Sequence, residues 1–408
     1  MAAKKTAKKT AAEAPAPTPT AAKKTAKKAA AKEVEFVPPK PVKLANDTDV
    51  KTMAKLQKVA QSAVRTVQRG LNPALEIRTR SLSNVAFNPK KRIIELGDKT
   101  QSREFFNTAM ARKFMQTMLV ANGCKQLLEQ NKTVSIRQMF YMTKHTIKGT
   151  NENTFEDQSE SDPVIEDLEV AIDALREELH LFANRRGLVV GEMVVEDAGD
   201  RIDLARLGCG GWGIPSICEE QDLKFISHKA EYVLLVEKQA VFHRLNEDKF
   251  WRTNKCILMT SEGQGARGVR RLLQRFSTEL NIPIYVLVDN DPWGLYIYSV
   301  LKQGSISLAY ESMRMAVPGV RFLGMSSNDY KKFTLPPAVE IKLSKEDITR
   351  ANQMKAYPWF AHKKWQGEIN AMLENGFKME VDGLLTKSIS FITEEYIPKK
   401  LRDKDWID

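Results

Sequence analysis

Three runs decide the fold: EYVLLVEK (231–238), KCILMTSEGQG (255–265) and PIYVLVDNDPWG (283–294). Each is an unbroken apolar stretch of strand length. Each is followed by residues at helical spacing: AVFHRLNEDKFW (240–251), ARGVRRLLQRFSTEL (266–280) and LYIYSVLKQGS (295–305). A strand wetted on one face alternates apolar and polar residues, whereas an unbroken run is buried on both faces. Continuous strands alternating with helices therefore predict an α/β fold built on a parallel sheet, with right-handed crossovers.

In an open parallel sheet, ligands bind beyond the carboxyl ends of the strands. Glu237 falls there after the first run, and Asp289 and Asp291 after the third. Three carboxylates converging at ~4–6 Å would raise one another's pKa values, and a divalent cation relieves that repulsion. Oxygen donors without His or Cys favour magnesium over zinc. The same residues admit a plainer reading, in which Glu237 pairs with a nearby Lys and the Asp-x-Asp caps the following helix.

Further out, GLVVGEMVVED (187–197) reads as a hairpin or paired strands. GCGGWGIP (208–215) precedes no clear βα unit, so it is a shaped loop and not a dinucleotide fingerprint. MLENGFKMEVDGLL (372–385) has turn glycines at 376 and 383. In the N-terminal half, MAKLQKVAQSAVRTVQRG (53–70) is helical with Gly70 as its stop. SREFFNTAMARKFMQTMLVANG (102–123) reads likewise, with Ser102 as N-cap and Gly123 as stop. Short strands are expected at 75–82 and 92–96, a polar loop at 149–162, and a helix from Pro163 to Ala183.

The segment TVSIRQMFYMTKH (133–145) carries a second signal. Ser135 and Gln138 have the spacing of a capping box, so a helix starts there. Arg137 and Tyr141 then stand four residues apart on one face. A guanidinium beside a phenol stabilises a phenolate or a bound phosphate, and Lys144 and His145 add charge. That equips a tyrosine to attack a phosphodiester. A core aromatic at 141 is the other reading.

Composition excludes several classes. The hydrophobic content is 42%, enough for real cores. No stretch reaches the ~18 apolar residues of a membrane span, and no apolar run follows the first lysines as a secretory signal requires. Cys124, Cys209, Cys218 and Cys256 are too widely spaced for a CxxC pair and argue against a disulfide framework. No G-x-x-x-x-G-K-[ST] occurs, so ATP is not held by a P-loop. The expectation is a soluble, cytoplasmic protein.

The charge of +12 is uneven. Residues 1–33 hold nine Lys and two Glu, a net of +7, which leaves +5 for the rest. AAKKTAKK occurs at 2–9 and again at 21–28, around EAPAPTPT. Such sequence has no apolar face to bury and is expected to stay disordered over 1–45. Its lysines can neutralise DNA phosphates without reading bases, or serve only as a solubilising tail.

Taken together, Arg137–Tyr141, Glu237 in EYVLLVEKQAVFHRL, and Asp289 and Asp291 in VLVDNDPWGLYIYSVLKQGSISLAY resemble the topoisomerase VI A subunits, the type IIB DNA topoisomerases, and their meiotic break-forming relatives. The likeness runs over about residues 65–408 and includes FLGM (322–325) and LLTKSISFITEEYIPKKL (384–401). Phe140 stands where the family often has a second Tyr, which favours Tyr141 as the reactive one. Glu262 stands where the family usually has a small or basic residue.

The resemblance implies a winged-helix (5Y-CAP-like) domain over 65–160, a connecting region over 161–227, and a Toprim domain with a C-terminal extension over 228–408. It implies that Tyr141 is the nucleophile and Arg137 steadies the phosphate. Asp289 and Asp291 would hold Mg2+, with Glu237 joining the metal or relaying a proton. It implies double-stranded DNA as substrate, a homodimer, and an ATPase B subunit completing an A2B2 heterotetramer of the prokaryotic nucleoid. Two other readings remain: a Toprim nuclease that uses water, and a non-enzymatic architectural DNA-binding protein.

The repeat yields a prediction. Each lysine on a phosphate steepens the salt dependence of duplex binding by up to about 0.9 in log–log slope. With about half of the nine engaged, a chain beginning near Glu35 should lose roughly four units of slope at unchanged base preference. Duplex titrations over a salt series measure this, and equal slopes would leave the arm as a solubiliser.

Overall fold

The computed structural model describes residue 44 and residues 46–407. The arm expected to be disordered lies outside the described residues, apart from position 44. The central sheet has six strands, in the order Trp212–Gly213, Leu188–Val190, Cys256–Thr260, Tyr232–Val236, Ile284–Leu287, Arg321–Gly324. The last four run parallel, and the first two are antiparallel additions at one edge. The predicted parallel sheet is present, with helices Gln239–Glu247, Arg267–Arg275 and Pro292–Gln303 following the three diagnostic strands.

Why these runs are continuous is visible in the packing. Val233, Leu235, Ile257, Met259, Ile284 and Val286 point into one core. Leu234, Val236, Leu258, Tyr285 and Leu287 point into a second core on the opposite face. Period-two geometry sends alternate residues to opposite faces, so a sheet covered on both sides needs apolar residues at every position. A third core holds Met53 and Leu56 of helix Asp47–Gln68, and Val120, Cys124 and Leu127 of helix Thr108–Gln130. Met139 and Phe140 of helix Ile136–Thr143 join it, with Val164, Ile165 and Leu168 of helix Gln158–Ile172.

Several expectations are corrected. Ser102 is no N-cap: Thr100–Glu104 is a strand paired antiparallel with Ala74–Arg78. The helix begins at Thr108, capped by the Asn107 side chain on the Ala109 N–H at 3.1 Å. Gly123 does not stop it but sits mid-helix, where an added Cβ would come within 2.8 Å of Met139 Sδ. The helix placed at Pro163–Ala183 runs from Gln158 to Ile172, because Asp157 caps the Ser159 N–H and Pro163 lies inside it. The hairpin at 187–197 does not form. Leu188–Val190 joins the six-stranded sheet, whereas Met193–Asp197 pairs with Leu223–His228 and Asp200–Asp203 in a separate three-stranded sheet. The segment 240–251 is two helices, broken at Lys249 (φ 52°). Gly383 makes no turn of its own but lies inside the 3-10 helix Val381–Thr386. The strands near 75–82 and 92–96 are present as Ala74–Arg78 and Ile93–Leu96.

The far edge of the sheet is fastened by a buried charge. Asp329, fully buried, accepts from Lys400 Nζ at 2.9 Å and from Tyr396 Oη at 2.6 Å. Removing one member of such a pair leaves an uncompensated buried ion. Lys400→Met should therefore lower the unfolding free energy by about 3–5 kcal/mol, read from urea denaturation. Adding Asp329→Asn should restore part of the loss, because the two sites share one interaction.

Candidate active site: strand-end carboxylates and an exposed tyrosine

Glu237 directly follows the strand Tyr232–Val236, and its N–H extends the ladder to Leu287 O at 3.0 Å. Asp289 and Asp291 follow the neighbouring parallel strand Ile284–Leu287. The parallel register thus brings all three to one sheet edge, as the sequence predicted. Burial pushes the Glu237 carboxyl up to about 7, with help from the nearby Asp289 and Asp291 charges. Burial also raises Asp289 and Asp291. Glu237 Oε2 is buried without a hydrogen-bond partner.

The plainer reading of these residues is half right. Asp291 does cap helix Pro292–Gln303, its Oδ1 accepting from Gly294 N at 2.6 Å. The lysine pairing, however, falls on Asp289. Lys238 Nζ lies 3.0 Å from Asp289 Oδ2, 2.8 Å from Glu380 Oε2 and 2.8 Å from Asp382 Oδ2. Burial works against the Lys238 ammonium, yet hydrogen bonds to Asp382, Glu380 and Asp289 hold it above the ordinary lysine range.

The C-terminal segment completes the enclosure. Val381 N–H donates to Asp289 Oδ1 at 2.8 Å, and Asn290 and Met379 exchange backbone hydrogen bonds at 2.9 and 3.1 Å. Asn290 Nδ2 reaches Met325 O, Ser327 Oγ and Glu368 Oε1, each at 3.2 Å. Glu380, Asp382 and Lys238 escaped the sequence reading. Lys238 had a faint signal, as the one cation adjoining the strand-end Glu237.

Among the described residues, no group of three or more His, Cys, Asp or Glu side chains stands at metal-binding separation. Lys238 occupies one oxygen of Asp289, and the helix cap occupies one of Asp291. The donor chemistry nonetheless fits a hard divalent cation. The set is all oxygen, its pKa values are raised by burial and by mutual repulsion, and Glu237 Oε2 lacks a partner.

The tyrosine segment forms as read. Gln138 N donates to Ser135 Oγ at 3.2 Å, and Ser135 N to Gln138 Oε1 at 2.8 Å. In helix Ile136–Thr143 the pattern then divides neighbours. Met139 and Phe140 are buried, whereas Tyr141 is 60% exposed and Arg137 is exposed one turn away. Tyr141 is therefore not a core aromatic; its ring meets Phe140 edge-on at 5.0 Å. Lys144 Nζ is engaged by Glu156 O at 2.9 Å. No hydrogen bond or ion pair among the described residues joins Tyr141 to Glu237, Asp289 or Asp291.

Comparison with known proteins then decides the family. Residues 232–401 match the family model for the Toprim domain shared by Spo11 and the topoisomerase 6 A subunit; residues 112–181 match the model "Type IIB DNA topoisomerase". The chain is 42% identical over 362 residues to the A subunit of type 2 DNA topoisomerase 6 from Pyrococcus abyssi, covering 86% of this chain and 94% of that one. The chain belongs to the family of topoisomerase 6 A subunits. The homologue in Hyperthermus butylicus is 40% identical over 88% of this chain and 96% of its own. The A3 subunit of DNA topoisomerase 6 in Oryza sativa subsp. indica is 32% identical over 89% and 80%.

Membership makes the chain part of a type II DNA topoisomerase, the part that cuts DNA. The two matched regions take in the candidate site residues. Arg137 and Tyr141 lie in the N-terminal match, and the carboxylates with Lys238 lie in the Toprim match. The departure at Glu262 has a local use: its Oε2 accepts from Gly187 N at 3.2 Å, tying the loop after strand Cys256–Thr260 to the start of its neighbour Leu188–Val190. GCGGWGIP supplies the edge strand Trp212–Gly213. No helix of the described residues is long and apolar enough to cross a membrane.

The carboxylate turn tolerates no side chain at Gly294, where a Cβ would stand 2.3 Å from Asp289 O. Gly294→Ala should force Asp289 and the Asp291 cap apart. We expect a loss of roughly 1–3 kcal/mol in urea unfolding, the usual cost of overpacking, with far-ultraviolet circular dichroism unchanged.

Proposed function

We propose that Tyr141 is the DNA nucleophile and that Glu237, Asp289 and Asp291 form the magnesium site that serves it. The observation that carries the reading is the exposure of Tyr141 beside Arg137, on a helix whose preceding residue, Phe140, is buried. The hydroxyl of Tyr141 attacks the phosphorus of a phosphodiester. A P–O bond forms to tyrosine, the bond to the 3′-oxygen breaks, and a 5′-phosphotyrosyl ester remains beside a free 3′-hydroxyl. Religation is the reverse. Arg137 orients the phosphate by charge-assisted hydrogen bonds.

When bound, Mg2+ supplies electrostatic stabilisation of the charge on the reacting phosphate and the departing oxygen. Glu237 takes part either as a ligand, through its unpartnered Oε2, or by relaying a proton, for which a pKa near 7 suits it. Lys238 holds the Asp289 carboxylate in place.

Among the described residues Tyr141 has no hydrogen bond to Glu237, Asp289 or Asp291, which supports a homodimer in which the tyrosine of one protomer meets the carboxylates of its partner. Two tyrosines then cut two strands. With no P-loop in the sequence, ATP use falls to a B subunit in an A2B2 heterotetramer that passes one duplex through another. We assign 65–160 to a winged-helix domain, 161–227 to a connecting region and 228–408 to the Toprim domain with its extension. We place the protein at the prokaryotic nucleoid.

Denaturing gels of cleaved DNA test the reading. Tyr141→Phe, assayed with a B subunit, should abolish the protein–DNA adduct while duplex binding persists. Asp289→Ala, Asp291→Ala and Glu237→Ala should each cut cleavage by about a hundredfold or more, and EDTA should abolish it. Adduct retained by Tyr141→Phe would remove the nucleophile. Cleavage without adduct in the parent protein would instead favour a water-using nuclease.

A further inference from the structure

The carboxyl edge of the sheet carries a second feature that the cleavage chemistry does not use. Beyond strand Cys256–Thr260 the chain turns through Glu262–Gly265 into helix Arg267–Arg275. Its N-cap is Ala266, which offers no side-chain acceptor. The first intrahelical bond is Arg270 N to Ala266 O at 3.1 Å, so the N–H groups of Arg267, Gly268 and Val269 have no carbonyl within the helix. A cavity of about 330 Å³ opens at this end.

Its wall is basic and in part unsatisfied. Arg270 lines it and is 2% exposed; its Nε and Nη2 have no hydrogen-bond partner, and its Nη1 reaches only Ser305 Oγ at 3.5 Å. Arg176, 7% exposed, also lines the cavity and leaves Nε unpartnered. Burial drags the Arg270 guanidinium down to about 10. The one carboxylate in the wall, Glu166, is engaged by Arg80 and lies 3.5 Å from Arg267. Arg267 itself is satisfied by Glu169 and Glu311. At the mouth stands the exposed Arg186.

Glu311 attracts the Arg270 guanidinium without hydrogen-bonding to it, and buried guanidinium N–H groups left without an acceptor are costly. Those unpartnered donors match an anion with several acceptor oxygens, and a helix N-terminus with arginines beside it is the arrangement that receives one. We propose that this cavity is a phosphate-binding site, filled by either a backbone phosphate of DNA or a free phosphate ion. The loop that forms it also touches the candidate metal site, since Gly263 N–H donates to Glu237 O at 3.1 Å. The proposal stands whether or not Tyr141 is the nucleophile.

The test uses the full-length protein and inorganic phosphate. Thermal unfolding midpoints are measured over a phosphate series, against sodium chloride at matched ionic strength. The parent protein should show a saturable rise that chloride does not give. Arg270→Gln should abolish it. Arg186→Gln, a surface change, should weaken the apparent affinity by roughly tenfold to a hundredfold, the effect of losing one charged hydrogen bond. A rise equal to that in chloride overturns the proposal, as does phosphate affinity in Arg186→Gln and Arg270→Gln equal to the parent's. Duplex titration at saturating phosphate separates the sources. Competition assigns the cavity to a DNA phosphate, and unchanged duplex affinity assigns it to the free ion.

Discussion

Arg267 is the residue on which the placement of everything else depends. It lies at the start of the second crossover helix, and its guanidinium reaches Glu169 Oε1 at 2.6 Å, Glu169 Oε2 at 3.0 Å and Glu311 Oε1 at 2.7 Å. Tyr310 Oη closes the ring on Glu169 at 2.9 Å. Glu169 and Glu311 have fully buried side chains. Desolvating these ions costs several kcal/mol each, and their mutual attraction offsets that only in a good geometry. The cluster therefore selects one arrangement of helix Gln158–Ile172 on the sheet more than it adds stability. Arg80 and Arg103 extend it through Asp167, and Arg314 and Arg271 extend it through Glu219. The helix carrying Tyr141 packs in the same core as Gln158–Ile172, so the exposed tyrosine and the strand-end carboxylates occupy fixed positions within one chain.

The central sheet was legible because doubly covered strands must be apolar at every residue. Unbroken runs such as YVLLV and CILMT therefore carry their own diagnosis. The candidate carboxylates were legible for a related reason: polarity returns at the point where such a strand leaves the core. The N-terminal half was harder. Phe105 and Phe106 continue the apolar pattern of the helix that follows, so Ser102 looked like its cap. Only the distant strand Ala74–Arg78 explains why Thr100–Glu104 is extended. Gly123 resembled a stop, but its missing side chain serves the close approach of Met139. At 187–197 both strands form but do not pair with each other, because adjacent strands were sent to separate sheets.

The charge around the carboxylates was illegible for a different reason. Lys238 meets Glu380 across 142 positions of sequence and Asp382 across 144. No local pattern reports a contact of that span. Its outcome is an edge along which three strand-end carboxylates, two more from the C-terminal turn and one ammonium adjoin. In the proposed magnesium site, that ammonium and the metal would compete for Asp289.

The Val381 N–H that anchors Asp289 has a consequence for synthesis of the chain. Asp289 is translated 92 residues before the amide that fixes it. Met379, which braces Asn290 from both sides of its peptide, emerges equally late. While the chain is still growing on the ribosome, the strands and their acidic tips can exist without the strap that holds them. A polypeptide that ended before residue 379 would carry all three strand-end carboxylates and lack their enclosure. The assembled arrangement is thus reserved for chains that have been read past residue 381.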